Sequence, residues 1–432
     1  MNLKIHRGTK EIGGSCVEVT TASTRILLDF GMPLVDANHE PFDSKTLRGK
    51  SIAELKKARI LPDIGGLYHG DEKAIDAIFI SHSHMDHYGF LQYIHSDIPI
   101  YTSEGAYELI KITSEFTPTK INVANQFHIL KADGTNKVGD IVITNYLVDH
   151  SAFDARAFLI ESDSKRVFYT GDFRSHGRKG KLFENMISNP PKDIDCLLME
   201  GSMLGRSGQK YKDETAVEAR ITEILKEDHK ISFLFVSSQN IDRIVSAFRA
   251  CLRTKATFVI DLYTAYILYK LAAISKHIPQ YDWNNIRVYF FKNHADTVAR
   301  LGGKELLYKF NNQKIKLPEI NSMKNKVLMI MRDNSLFPKI ATKIDELNGS
   351  KIIYSMWNGY LKPESIETWK EQGIVLEEVH TSGHAIVQDL QRFAEAVNPK
   401  KLIPIHTFEP GKYETLFKNV HCLSDGESYT IK

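Results

Sequence analysis

Long apolar runs are missing from this sequence. No stretch of its 432 residues approaches the ~18 consecutive apolar positions of a membrane-spanning helix, and the opening MNLKIHRGTKEIGG has no apolar secretory core. No membrane association is expected, and the reading is of a soluble, cytoplasmic protein. Cysteine is scarce. Cys16, Cys196, Cys251 and Cys422 are widely spaced, with no CxxC pair, which excludes a disulfide scaffold and points to free thiols in a reducing compartment. Compositional bias is also absent. With 42% hydrophobic and 25% charged residues, disorder and collagen-like repetition are excluded, and two or three packed domains fit the length.

What the chain does have is a charge asymmetry. The formal net charge is +3, from 56 basic and 53 acidic residues. Residues 201–360, however, hold 25 Lys+Arg against 15 Asp+Glu, leaving 31 against 38 elsewhere. A net +10 in one segment suits a polyanionic partner, because phosphates release counterions onto basic surfaces; solvated surface is the competing reading.

Short apolar segments at 16–19, 25–29 and 77–80 read as strands, as do 141–147, 157–160 and 167–169. The stretch 32–70, rich in Pro and Gly, looks like an insertion over the surface. From about 195 to 355, strand-like runs alternate with helices of period ~3.6, which argues for a parallel, doubly wound sheet. Apolar residues then define a strand at 374–379, a helix around Leu390, Phe393 and Val397, and a strand at 402–405.

The strongest chemical signal is SHSHMDHYG, where His82, His84, Asp86 and His87 follow an apolar strand. Hydrophobic packing has no use for three imidazoles and a carboxylate on one turn. Zinc takes such ligands at roughly 2.0–2.2 Å, and four exceed what one open catalytic site needs from a single loop. Two neighbouring ions are therefore expected. His150, Asp172 and His406 each end an apolar run, in NYLVDH, VFYTGD and KLIPIH. Singly each is weak, but a shared position at a strand exit lets them converge on one sheet edge.

With these residues in place, the sequence resembles the metallo-β-lactamase superfamily, and within it the RNase J-like β-CASP nucleases. The resemblance implies an αββα metallo-β-lactamase sandwich at 1–200 and 361–432, with an inserted β-CASP doubly wound parallel α/β domain at 201–360. It implies His82, His84 and His150 as ligands of one metal, Asp86, His87 and His406 as ligands of the other, and Asp172 bridging both. Glu200, His384 in HTSGHA and His406 match the group's first, second and third motifs. The chain departs from the group where Thr407 and Phe408 replace the usual Gly-Glu, and where Met203 and Leu204 follow Ser202.

The implied activity is a zinc-dependent ribonuclease acting on single-stranded RNA, using two Zn2+ with Mn2+ as the alternative. A pair of divalent ions activates water and clamps phosphoryl oxygens for in-line displacement. His384 is expected to protonate the leaving oxygen and Glu200 to orient a ligand histidine; with Asp86 these form the catalytic set. Ser237, Ser238 and Asn240, before the helix starting near Ile241, are expected to hold phosphate, with capping by Asn240 as the structural alternative. Ser382 and Gly383 are expected to bind phosphate too, and Arg243 to reach the nucleic-acid backbone. The basic run Arg174, His176, Arg178, Lys179 borders the expected metals and is read as an RNA guide. The rival readings are a DNA nuclease of the same group and a small-substrate metallo-hydrolase for a cyclic nucleotide or thioester. Oligomerisation is left open by the residues themselves.

Overall fold

The computed structural model describes residues 1–36, 40–117, 121, 126–131, 134–206, 208–334 and 336–432. The chain forms two compact units. The first is Met1–Ser114, Thr119–Ser207 and Gly383–Lys432; the second is Glu115–Pro118 and Gly208–Ser382.

In the first unit, a seven-stranded sheet runs in the order Ser428–Thr430, Asn2–Arg7, Cys16–Thr20, Arg25–Leu28, Ala77–Phe79, Ile100–Thr102, Phe127–Ile129. A six-stranded sheet runs Lys401–Ile405, Cys196–Glu200, Lys165–Tyr169, Arg156–Ser162, Ile141–Leu147, Thr135–Val138. Strand periodicity sorts their side chains into layers. Ile26, Leu28 and Phe79 of the first sheet meet Ile143, Phe158 and Tyr169 of the second in one buried core, where the Phe79 and Phe158 rings lie 5.9 Å apart, edge to face. The alternate residues Leu27, Ile78 and Ile80 pack outward with Leu55, Tyr88, Leu91 and Ile110. Phe168, Leu197 and Met199 pack outward against Phe183, Leu390, Phe393 and Val397. Helices therefore cover both outer faces, which is the αββα sandwich. Each fully buried Leu, Ile or Phe contributes roughly 1.5–3 kcal/mol.

Two sequence expectations change here. The 32–70 stretch, expected as an insertion over the surface, is part of the core, because Leu55, Leu61, Ile64, Leu67 and Tyr68 are buried in the outer layer of the first sheet. Its short helix Ile52–Lys57 opens with a Ser51–Glu54 capping box. The N-terminal strand Asn2–Arg7, not anticipated, buries Leu3 and Ile5 and pairs antiparallel with both Cys16–Thr20 and Ser428–Thr430.

The second unit holds a seven-stranded, wholly parallel sheet in the order Lys314–Ile315, Ile286–Tyr289, Thr257–Asp261, Val327–Met331, Ser232–Phe235, Lys351–Tyr354, Val375–Glu378. Near-continuous apolar strands such as VLMIM suit a sheet covered on both faces. The chain runs from Ser232–Phe235 out to one edge, returns at Val327–Met331, then proceeds to the other edge, so the winding reverses beside Ser232–Phe235. Val375–Glu378, expected with the C-terminal part of the sandwich, is the edge strand of this sheet, and the unit ends at Ser382 rather than near 360.

Candidate metal centre

The site is built from strand exits of the first unit. Ala77–Phe79 leads into His82 and His84, and the one-turn helix Met85–Tyr88 carries Asp86 and His87. Gly31 lets this turn pack close, since a Cβ there would lie 1.6 Å from the Asp86 carbonyl oxygen. His150 follows Ile141–Leu147, Asp172 follows Lys165–Tyr169, and His406 follows Lys401–Ile405. His406 adopts a left-handed backbone at φ 52°, with its N–H donating to the Gly8 carbonyl at 2.7 Å.

All seven converge. In one group, His84 Nδ1 lies 3.2 Å from His82 Nε2 and 3.2 Å from His150 Nε2. Asp172 Oδ2 stands 3.7 Å from His82 Nε2 and 4.0 Å from His150 Nε2. In the other, the same Oδ2 lies 3.2 Å from His87 Nε2 and 3.6 Å from His406 Nε2, while Asp86 Oδ2 lies 3.7 and 3.6 Å from those two nitrogens. Four donors at about 2.1 Å from a tetrahedral ion are spaced about 3.4 Å apart, so both groups fit a zinc-sized cation. The nitrogen His87 Nε2, the nitrogen His406 Nε2 and both Asp172 oxygens are buried with no hydrogen-bond partner among the described residues. Buried polar atoms without hydrogen bonds are costly, and here they face common centres.

Protonation agrees with ligation. Burial pulls His82 and His150 well below the usual histidine range, lowers His406, and brings His84 to about 4. Neutral imidazoles are what a metal requires. His87 is the exception: burial would lower it too, but Asp172, Asp29 and Asp86 outweigh burial and raise it well above that range. A cation beside the three carboxylates would replace the proton's charge.

Remote ring nitrogens are held in turn. His87 Nδ1 donates to Asp29 Oδ2 at 2.8 Å, His150 Nδ1 donates to the Gly383 carbonyl at 2.5 Å, and His406 Nδ1 meets Ser15 Oγ at 2.9 Å. Asp29 escaped the sequence reading, although it ends the apolar run RILLD at a strand exit, the signal that selected Asp172. Glu200 was expected to orient a ligand histidine. Instead its Oε1 lies 3.4 Å from His384 Nδ1, and its Oε2 accepts from the Ser202 N–H at 2.9 Å. His384 Nδ1 also stands 3.7 Å from Asp172 Oδ2. Burial works against its protonation, but Glu200 and Asp172 prevail and raise its pKa above the usual value.

Of the expected substrate contacts, Gly383 sits in this unit and orients His150; the others belong to the second unit. Ser237 is exposed. Ser238 is buried, within 2.5 Å of Thr264 Oγ1 and hydrogen-bonded to Arg332. Asn240 caps the helix Ile241–Thr254 through the Arg243 N–H. The Ser382 N–H donates to Gln209 Oε1 at 3.3 Å. Arg243 does not reach outward. Its guanidinium is fully buried, pairing with Glu214 at 2.9 and 3.1 Å and donating to Ser355 and the Thr381 carbonyl. Arg174, read as part of an RNA guide, is likewise fully buried, 3.6 Å from Asp149.

Residues 66–219 match the family described as beta-lactamase superfamily domain. The chain is 21% identical to Ribonuclease J of Helicobacter pylori strain ATCC 700392 / 26695, over 98% of its own length and 60% of that protein's. It is 23% identical to an RNase J-like protein of Methanocaldococcus jannaschii, over 66% of its length and 63% of that protein's. The chain thus spans about three fifths of these curated relatives. A crystal structure of a protein of unknown function from Enterococcus faecalis V583 shares its fold, with TM-score 0.79, 22% identity and 99% coverage of both chains.

Proposed function

We propose, from the premise that the chain carries a β-lactamase superfamily domain, that it is a zinc-dependent ribonuclease hydrolysing phosphodiester bonds of single-stranded RNA. The observation that carries the reading is Asp172 Oδ2, shared between two four-ligand groups. His82, His84, His150 and Asp172 would hold one cation, and Asp86, His87, His406 and Asp172 the other. A donor set of five imidazoles and two carboxylates favours zinc over the oxygen-seeking magnesium and calcium. Bound there, two divalent ions supply a nucleophile from water at neutral pH and stabilise charge on the phosphoryl oxygens.

The chain's own residues do the rest. His384 would give a proton to the departing sugar oxygen, a role supported by Glu200 beside its ring, which favours the protonated form. Asp86 keeps its carboxylate aimed between His87 and His406. The parallel α/β second unit is read as the β-CASP insert, a reading supported by its net-positive segment and by the relatives named for ribonuclease activity. Ser237, beside the cap of a helix, is the open phosphate contact within it. Four free cysteines support a reducing, cytoplasmic setting, and no helix among the described residues is long and apolar enough to cross a membrane.

The test is cleavage of 5′- and 3′-labelled RNA and DNA of one sequence by zinc- and manganese-loaded protein. Cleavage of RNA with little of DNA is expected. Equal cleavage of both transfers the assignment to a DNA-competent nuclease, and cleavage of neither beside turnover of a cyclic nucleotide or thioester transfers it to a small-substrate hydrolase.

A further inference from the structure

We propose that the second unit carries a separate binding site for single-stranded RNA in a basic, aromatic cleft at the carboxyl end of the strand Ile286–Tyr289. The inference rests on the ribonuclease reading and adds a place where the chain grips its substrate. Residues 287–343, the stretch that supplies the cleft's lining, contain 12 Lys+Arg against 4 Asp+Glu, a net +8 of the segment's +10, and three of those lysines stand in the cleft itself. The strand runs into the sequence YFFK, whose aromatic residues open onto a cleft of about 580 Å³. Tyr289 and Phe290 are half-buried in its wall, while Lys292, Lys339 and Lys343 line it from exposed positions, beside a single acid, Asp296.

Each component matches one part of a nucleotide. A ring held by its neighbours loses little entropy on stacking with a base, and such stacking tolerates any sequence. Tyr289 is fixed edge to face against Phe291 at 4.9 Å, and the Lys314 ammonium sits over the Phe290 ring at 4.8 Å, adding positive charge at a stacking surface. Three lysines in one concavity attract the backbone. The helix Lys292–Lys309 also begins at the cleft, its first turn uncapped by any side chain, so its positive end adds to the field. An acidic peptide would satisfy the lysines but leave the rings without a planar partner, which is why RNA is the occupant the cleft favours.

The experiment uses the full chain with fluorescein-labelled oligouridylate and chelator present, so that binding is read without cleavage. Fluorescence anisotropy compares the parent with Lys339→Ala/Lys343→Ala and with Phe290→Leu across a salt series. The lysine pair should weaken binding about tenfold and make the log–log salt slope shallower by about 1.4, as expected for two lost single-strand phosphate contacts. Phe290→Leu should weaken binding severalfold with an unchanged slope, the signature of lost stacking. Zinc-loaded variants should hydrolyse a small phosphodiester such as bis(p-nitrophenyl) phosphate at the parental rate. Parental affinity in both variants overturns the cleft while leaving the ribonuclease reading intact. Loss in the lysine variant alone, with polyglutamate competing as well as RNA, overturns it in favour of an acidic peptide. A parent that neither binds nor cleaves RNA removes both inferences together.

Discussion

Asp29 Oδ2 accepts the Nδ1–H of His87 at 2.8 Å across 58 positions of sequence, and the same oxygen also accepts from the Tyr169 hydroxyl at 2.6 Å. One carboxylate thereby fixes the tautomer and ring plane of a candidate metal ligand, with Nε2 left facing Asp86 and Asp172. Partners of this kind typically matter by 10–100-fold in metal affinity. Asp29→Asn should therefore weaken zinc binding by about that factor, measured by competition with a chromogenic chelator. Asparagine is the right probe, because the backbone at residue 29 is left-handed, φ 59°, which asparagine tolerates. Unchanged zinc affinity would refute the role.

The bridging carboxylate and the neighbouring histidine should separate cleanly. Asp172→Ala removes an oxygen common to both four-ligand groups, so bound zinc and RNA cleavage should be lost together. His384→Ala should retain zinc by elemental analysis while turnover falls roughly 10²–10⁴-fold, the usual worth of a general acid. Parental turnover in His384→Ala would exclude it as the proton donor.

Close packing under the metal loop gives a stability prediction. Gly31→Ala places a carbon 1.6 Å from the Asp86 carbonyl oxygen. Overpacking of this kind costs about 1–3 kcal/mol or more, so the thermal midpoint should drop and zinc affinity with it. Gly65→Ala is the control, since nothing lies within 4 Å of the added carbon and its midpoint should stay near the parent's.

Acid should destabilise the second unit through Asp261. Burial acts to raise this carboxyl, but Arg332 and His294 outweigh it and hold the pKa at about 2, below the ordinary aspartate range. A carboxyl depressed in the folded state stabilises the fold fully above its unfolded pKa, and that contribution disappears as pH falls through the folded value. The difference corresponds to about 2 kcal/mol. Urea midpoints followed from about pH 5 down to about pH 2 should fall more steeply for the parent than for Asp261→Asn. Parallel curves would dismiss the ion pair as the cause.

The candidate metal ligands were legible because they obey a positional rule: His150, Asp172 and His406 each end an apolar strand, and His82, His84, Asp86 and His87 follow another within one turn. Asp29 follows the same rule but lacks a neighbouring histidine, so nothing in RILLDF marked it as more than a turn residue. Arg243 was misread for a different reason. Periodicity in Ile241, Ile244 and Phe248 reveals the apolar stripe of a helix, whereas Arg243 pairs with Glu214, which also accepts from the Ser246 hydroxyl, in a buried polar seam that period alone does not show. The unit boundary was misplaced because VLEE at 375–378 is a partly exposed edge strand, with too little apolar character to declare its sheet. In the N-terminal strand NLKIHR, basic side chains interrupt the two buried residues and mask the alternation.

The return of the chain at Gly383 to finish the first unit makes the two candidate ligand groups depend on different lengths of chain. Lys401–Ile405 pairs in register with Cys196–Glu200, and only then does His406 reach Asp86 and His87. His82, His84, His150 and Asp172 all lie within the first 172 residues, whereas the companion group draws His406 from the end of the last strand of the six-stranded sheet.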